Sequence, residues 1–223
     1  MQTPESQLIE AKAEPHDPRL GPATVTPTIL YMIRHGQPEA CHLNCYYGQM
    51  DVPLSERGRQ QSSAVAERLS GVPLDAVYSS DLSRASYLAE QLAEPRGLPV
   101  RRVEAFRERS MGRLTGLDRA ALERDHGELY KTWLADRIHF RMPEAENFED
   151  LEGRIVPAVL ELVASFPGRR IALACHAGPI RVMVARVLGM PLENIFRIDV
   201  AHGGIFAFEF APKTFPRVTL MNG

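Results

Sequence analysis

Tyr31-Met32-Ile33-Arg34-His35-Gly36 ends an apolar and aromatic run that begins at Ile29. A run this short, closed by a charged pair and a glycine, predicts a strand buried on both faces. Arg34 and His35 then sit where the strand leaves its sheet. In open α/β sheets that edge, at the carboxyl ends of the strands, is where ligands bind. A guanidinium, an imidazole and a pliant Gly36 there suit a phosphate anion better than a core. Alone, Arg-His-Gly fits a strand end with two solvated polar residues equally well.

Two further apolar runs end in the same manner. Leu74 to Tyr78 leads into Ser79-Ser80-Asp81, a set of residues able to cap the next helix. Arg84 falls in the first turn of that helix, off the apolar stripe of Leu82, Ala85, Leu88, Ala89 and Leu92. Arg170 to Cys175 leads into His176-Ala177-Gly178, and a helix is predicted from Pro179 to Leu188 with Pro179 at its first position.

Between these runs the helical signals recur. Ser55 is a natural N-cap for a helix whose stripe includes Val65 and Leu69 and which ends at Gly71. Val100 to Val103 reads as a short strand, and 105–116 as a loop. Residues 118–138 read as one helix, and 148–166 as another that Pro157 kinks or begins. Near the C-terminus the period changes to two. Phe206, Phe208 and Phe210 alternate, as do Val218 and Leu220, after a turn at His202-Gly203-Gly204.

Strands separated by helices imply right-handed crossovers. The expected fold is therefore α/β: a three-layer α/β/α sandwich on a mainly parallel sheet, with an antiparallel edge near the C-terminus. Parallel strands put Arg34-His35-Gly36, Ser79-Ser80-Asp81 with Arg84, and His176-Ala177-Gly178 on one edge. The expected organisation is a loosely attached tail at 1–27 and a single domain at 28–223, with a helical insert at about 116–147.

Composition narrows the function classes. The net charge of −2 disfavours nucleic acid and anionic membranes as partners. Three cysteines, Cys41, Cys45 and Cys175, are too few and too odd for a disulfide framework and fit a reducing cytoplasm. Cys41-His42-Leu43-Asn44-Cys45 has no matching half-site elsewhere, so no metal is expected. The first 26 residues hold four prolines and scattered acids but no apolar core of a secretory signal. No run is long enough to span a bilayer.

The two histidines and two arginines expected at one sheet edge form a donor-rich, cationic cluster. A phosphoryl group, with about −1.5 to −2 charge near neutral pH, is its matching ligand. His16, His126, His139 and His202 read as surface or structural residues, with His139, beside Arg137 and Arg141, an alternative substrate contact.

Five motifs in order carry a resemblance. They are Arg34-His35-Gly36, Asp51-Val52-Pro53-Leu54-Ser55-Glu56-Arg57-Gly58, Ser79-Ser80-Asp81-Leu82-Ser83-Arg84-Ala85, Arg107-Glu108-Arg109-Ser110-Met111-Gly112 and His176-Ala177-Gly178. Together they resemble the histidine phosphatase superfamily, which includes the cofactor-dependent phosphoglycerate mutases. The resemblance spans about residues 28 to 210. It implies a phosphoglycerate mutase-like fold, His35 as the nucleophile and Glu108 as the general acid. Arg34, Arg84 and His176 would grip the phosphoryl oxygens, the Ala177 N–H would assist, and no cofactor is implied. Glu56 and Glu104 are equally acidic neighbours, and only the motif favours Glu108.

The chain departs from the family pattern at Gln37-Pro38, where Glu-Thr is frequent, and at Cys41, where an Asn contacts phosphate. Asn44 is the expected substitute, with Gln49 a further substrate contact. Ala145-Glu146-Asn147 stands where Gly-Glu-Ser is frequent. The compact insert favours hydrolysis of a small phosphorylated metabolite over mutase chemistry, which encloses its substrate. Tyr46-Tyr47-Gly48-Gln49-Met50-Asp51-Val52-Pro53-Leu54 and the length are similar to the α-ribazole phosphatase branch. Phosphoglycerate mutase-type transfer and a non-catalytic phospholigand-binding module are the alternatives. A homodimer is compatible with the sequence but not implied by it.

Overall fold

The computed structural model describes residues 26–39 and 44–223. The expected tail, except for its last two residues, and Cys41 lie outside them. Six strands among the described residues form one sheet: β1 (Thr28–Arg34), β2 (Ala76–Ser79), β3 (Val100–Arg102), β4 (Arg170–Cys175), β5 (Ile205–Phe210) and β6 (Arg217–Leu220). Their spatial order is β3-β2-β4-β1-β5-β6. The first four are parallel, whereas β5 runs antiparallel to β1 and β6 to β5.

Helices α1 (Glu56–Arg68) and α2 (Ser83–Ala93) cover one face of the sheet. Helices α5 (Phe148–Ala164) and α6 (Ala177–Leu188) cover the other, and α3 (Arg119–Asp125) and α4 (Gly127–Ala135) belong to the insert. Alternation along β1 explains the three layers. Leu30 and Met32 pack with Ile155, Val159, Ile180 and Phe206, while Ile33 packs with Val65, Leu88 and Leu92. Burying one such side chain is worth roughly 1.5–3 kcal/mol, against roughly 1 kcal/mol net for one hydrogen bond. Packing from both sides is thus what fixes the level at which β1 ends.

Three local expectations are corrected, and one alternative for Pro157 is settled. Asp81 does not cap α2; it accepts from Arg107 Nε at 2.7 Å, and Leu82 occupies the N-cap without a side-chain bond. Asp51, from the loop before α1, takes the capping role by accepting from Ser83 N and Ser83 Oγ at 2.8 and 2.7 Å. A two-pronged pair with Arg107 is the stronger use of Asp81. The helix expected at 118–138 is two helices, because His126 leaves helical geometry before Gly127. The break lets Leu122, Tyr130 and Trp133 share one small core with Met111, Leu114 and Met142.

Pro157 lies inside α5, not in its first turn. Pro157 and Gly153 are both exposed, so the carbonyl that loses its partner lies on the solvent side. Helix α6 begins at Ala177, with His176 as N-cap, so Pro179 is the third helical residue. A helix has no internal acceptor for that N–H, and proline there removes no bond. No described helix is long and apolar enough to cross a membrane.

Candidate active site

Strand register assembles the cluster. Arg34 pairs with Cys175 across β1 and β4, so His35 and His176 are the next residues of adjacent parallel strands. His35 N donates to Cys175 O at 3.1 Å, and the two imidazole centroids are 5.1 Å apart. Ser79 pairs with Ala174, which brings Ser80 to the same level. Ser80 Oγ lies 2.7 Å from His176 Nε2, both groups fully buried.

The tautomer of His35 follows from its neighbours. Arg84 Nε, which can only donate, points at His35 Nε2 at 3.3 Å. That nitrogen therefore carries the lone pair. Nδ1 carries the hydrogen and donates to Gly36 O at 2.6 Å. Burial, then the charges of Arg84 and Arg34, hold the imidazole well below its ordinary pKa. An uncharged imidazole with a free Nε2 pair is a nucleophile at neutral pH. Gly36 is required by space: a Cβ there would meet Gly58 O at 2.1 Å.

Arg84 is fully buried, and no carboxylate among the described residues forms an ion pair with it. It donates to Gly48 O at 2.7 Å and Met50 O at 2.8 Å, and sits 4.9 Å over the Tyr47 ring. The loop before α1 thus holds the guanidinium by dipoles, without a direct ion pair among the described residues. Arg34 donates to Val200 O at 2.6 Å and to His202 Nε2 at 2.8 Å. Arg34 Nε and His176 Nδ1 are buried with no hydrogen-bond partner among the described residues. Burial and nearby arginines lower His176 in the same way.

Glu108 is the acid of this group. Its Oε1 accepts from Arg109 N at 2.8 Å and its Oε2 from Gly178 N at 3.1 Å, in the first turn of α6. A Cβ on residue 178 would lie 2.2 Å from Oε1, so only glycine lets the carboxylate sit there. Glu104 and Glu56 are spent elsewhere, on Arg107 and Arg59.

His35, Arg34, Arg84, His176 and Glu108 therefore come together, with Ala177 adjoining them at the start of α6. Gln49 does so indirectly, since its Nε2 donates to the Glu108 backbone carbonyl at 3.0 Å. Asn44 is exposed, and nothing among the described residues ties it to the imidazoles. Asn147 is the N-cap of α5, with its side chain and that of Asp150 capping reciprocally.

His202 lies in the expected turn and also belongs to the cluster. Its ring lies 5.8 Å from that of His35, and burial followed by Arg34 takes its pKa down to about 4. The antiparallel return of β5 beside β1 delivers it, and the local pattern His-Gly-Gly carries no sign of that pairing. No group of three or more His, Cys, Asp or Glu among the described residues is placed to hold a metal ion.

Two guanidiniums with no acid partner among the described residues, a neutral imidazole and one pinned carboxylate can together bind and transfer a phosphoryl group. The sequence profile of the histidine phosphatase superfamily (branch 1) matches residues 30–222. The chain belongs to that superfamily. The adenosylcobalamin/α-ribazole phosphatase of Escherichia coli K12 is 28% identical over 193 residues, covering 86% of this chain and 95% of that protein. A glucosyl-3-phosphoglycerate phosphatase of Mycobacterium tuberculosis is 35% identical over 173 residues, covering 74% of this chain and 77% of that protein. The crystal structure of a putative α-ribazole-5'-phosphate phosphatase from E. coli superposes with a TM-score of 0.81 at 28% identity, covering 88% of this chain and 96% of that one. This member of the superfamily is an enzyme, as its named relatives are, and its sandwich with an antiparallel C-terminal edge is the superfamily fold.

Proposed function

We propose that this enzyme hydrolyses small phosphate monoesters through a phosphohistidine on Nε2 of His35. The observation that carries the reading is that unprotonated, buried Nε2, set beside two guanidiniums with no carboxylate partner among the described residues. In the first step Nε2 attacks phosphorus and the ester P–O bond breaks. The leaving alkoxide takes a proton from the Glu108 carboxyl. In the second, the Glu108 carboxylate takes a proton from water, whose oxygen attacks phosphorus. The P–N bond breaks, and inorganic phosphate and neutral His35 result.

Arg34, Arg84 and the Nδ1–H of His176 bind the non-bridging oxygens, where charge spreads in the transition state. The Ala177 N–H, at the start of α6, adds a donor favoured by the helix dipole. Ser80 donates to His176 Nε2 and so keeps the hydrogen on Nδ1, facing phosphate. Fixed guanidiniums supply the charge neutralisation that magnesium supplies elsewhere. The named relatives act on different esters, so they support phosphatase chemistry without selecting the substrate.

The test is release of p-nitrophenol from its phosphate ester in EDTA, with radiolabelled phosphate trapped on the enzyme by acid-free quenching. Turnover that survives chelation and is lost in His35→Ala, with label on His35 in the parent, is expected. Undiminished turnover in that variant removes His35 as nucleophile. Transfer between phosphoglycerate isomers that needs a bisphosphorylated primer, and exceeds hydrolysis, would favour the mutase alternative.

A further inference from the structure

We infer that Arg154 and Glu146 form a clasp that positions the general acid. They are positioning residues, and the docking of α5 and of the end of the insert sets Glu108 in place through them. This rests on the hydrolase reading, in which Glu108 protonates the leaving group.

Residues 107–111, which carry Glu108, form neither helix nor strand. Their backbone groups must therefore find partners elsewhere. Carbonyls of this segment and just before it converge on one guanidinium. Arg154 Nη1 donates to Ala105 O at 2.9 Å and to Arg107 O at 3.1 Å, and its Nη2 donates to Glu108 O at 3.3 Å. Its other edge, Nε with Nη2, takes both carboxylate oxygens of Glu146 at 2.7 Å each. Such a two-pronged pair fixes the plane of the guanidinium. Glu146 grips the far side of the segment: its Oε2 accepts from Ser110 N at 2.8 Å, and its N donates to Ser110 O at 3.1 Å. Backbone before, at and after the acid is thus held by one ion pair, whose side chains are only 22% and 21% exposed.

Core packing sets where the clasp stands. Arg154 lies on α5 between Leu151 and Ile155, both fully buried in the core that holds Leu30 and Ile180. Gly178 N and Arg109 N fix where the Glu108 carboxylate points, and the clasp fixes the backbone it points from. All five N–H groups of Arg154 are spent on Glu146 and on these carbonyls, so it acts through Glu108 and not on substrate. His139 and Arg141, the alternative substrate contacts, are committed to Glu149, Glu193 and Asp150.

Rapid-quench formation of the phosphoenzyme from propyl phosphate and from p-nitrophenyl phosphate reads the position of the acid, since only the alkyl leaving group needs its proton. Arg154→Ala should lose about 100-fold with propyl phosphate and less than about fivefold with p-nitrophenyl phosphate. Methylguanidinium added to that variant should return about tenfold of the propyl phosphate loss. Glu146→Gln, which keeps the shape and weakens the pair, should lose about tenfold with propyl phosphate, and it reads the clasp where Arg154→Ala does not fold. Equal losses with the two esters in folded Arg154→Ala or in Glu146→Gln, or no return with methylguanidinium, overturn the clasp. Glu108→Gln, run alongside, keeps the two readings apart. Equal losses in Glu108→Gln overturn Glu108 as the acid, whereas selective losses there with unselective ones in the clasp variants overturn the clasp alone.

Discussion

Replacing Gly178 by alanine tests the placement of the general acid. The added Cβ would stand 2.2 Å from Glu108 Oε1 and 3.0 Å from Leu151 Cδ2, whereas ordinary contact begins near 3.4 Å. The carboxylate must retreat by about 1 Å, and its bond from Gly178 N, 3.1 Å in the parent, is lost. A charged hydrogen bond of this kind is worth about 1.5–3 kcal/mol, and a displacement of about 1 Å at a reacting group costs about 100-fold in rate. The two figures agree, since about 2.7 kcal/mol is 100-fold. Alkyl esters, whose alkoxide must be protonated as it leaves, should lose about 100-fold in the phosphorylation step. p-Nitrophenyl phosphate, whose leaving group departs without a proton, should lose far less in that step. Rapid-quench measurement of phosphoenzyme formation with both esters separates the cases. Equal losses for both, in a variant of unchanged melting temperature, would refute Glu108 as the acid.

Acid stability follows from the buried imidazoles. His35 and His176 have folded pKa values below the ordinary 6.5, so below that pH the unfolded chain binds more protons than the folded one. Their stabilisation is present above the ordinary value and drains as pH falls toward the folded values, by up to about 1.4 kcal/mol per pH unit for each. Urea midpoints between pH 7 and pH 5 should therefore drop more steeply in the parent than in a His35→Gln/His176→Gln variant; equal slopes would remove this account. Ser80→Ala should release the His176 ring from its fixed tautomer and lower kcat about tenfold, roughly the worth of one hydrogen bond. Ring nitrogen shifts of His176 identical to the parent's would show that Ser80 does not set its hydrogen.

Helix ends and loop acids were the least legible features, because their partners arrive from far along the chain. Asp81 looked able to cap a helix, but it lies opposite Arg107 and pairs with it, and the cap falls to Asp51, 32 residues from Ser83. The motif singled out Glu108 from Glu104 and Glu56, but the physical distinction is contact with Gly178, 70 residues away. The break at His126 escaped a periodicity reading because both halves keep apolar residues at helical spacing. It is the shared core with Met111 and Met142 that bends them together.

Much of this protein was written locally. Short apolar runs closed by Arg34-His35-Gly36 and His176-Ala177-Gly178 determined the strands, because burial on both faces leaves no polar position inside them. Alternation with helices determined that those strands run parallel and that their ends share an edge. Which tautomer His35 adopts and that His202 joins Arg34 were decided only by tertiary structure. Each depends on the register of β1 against β4 and β5, which leaves no trace in the spacing of neighbouring residues.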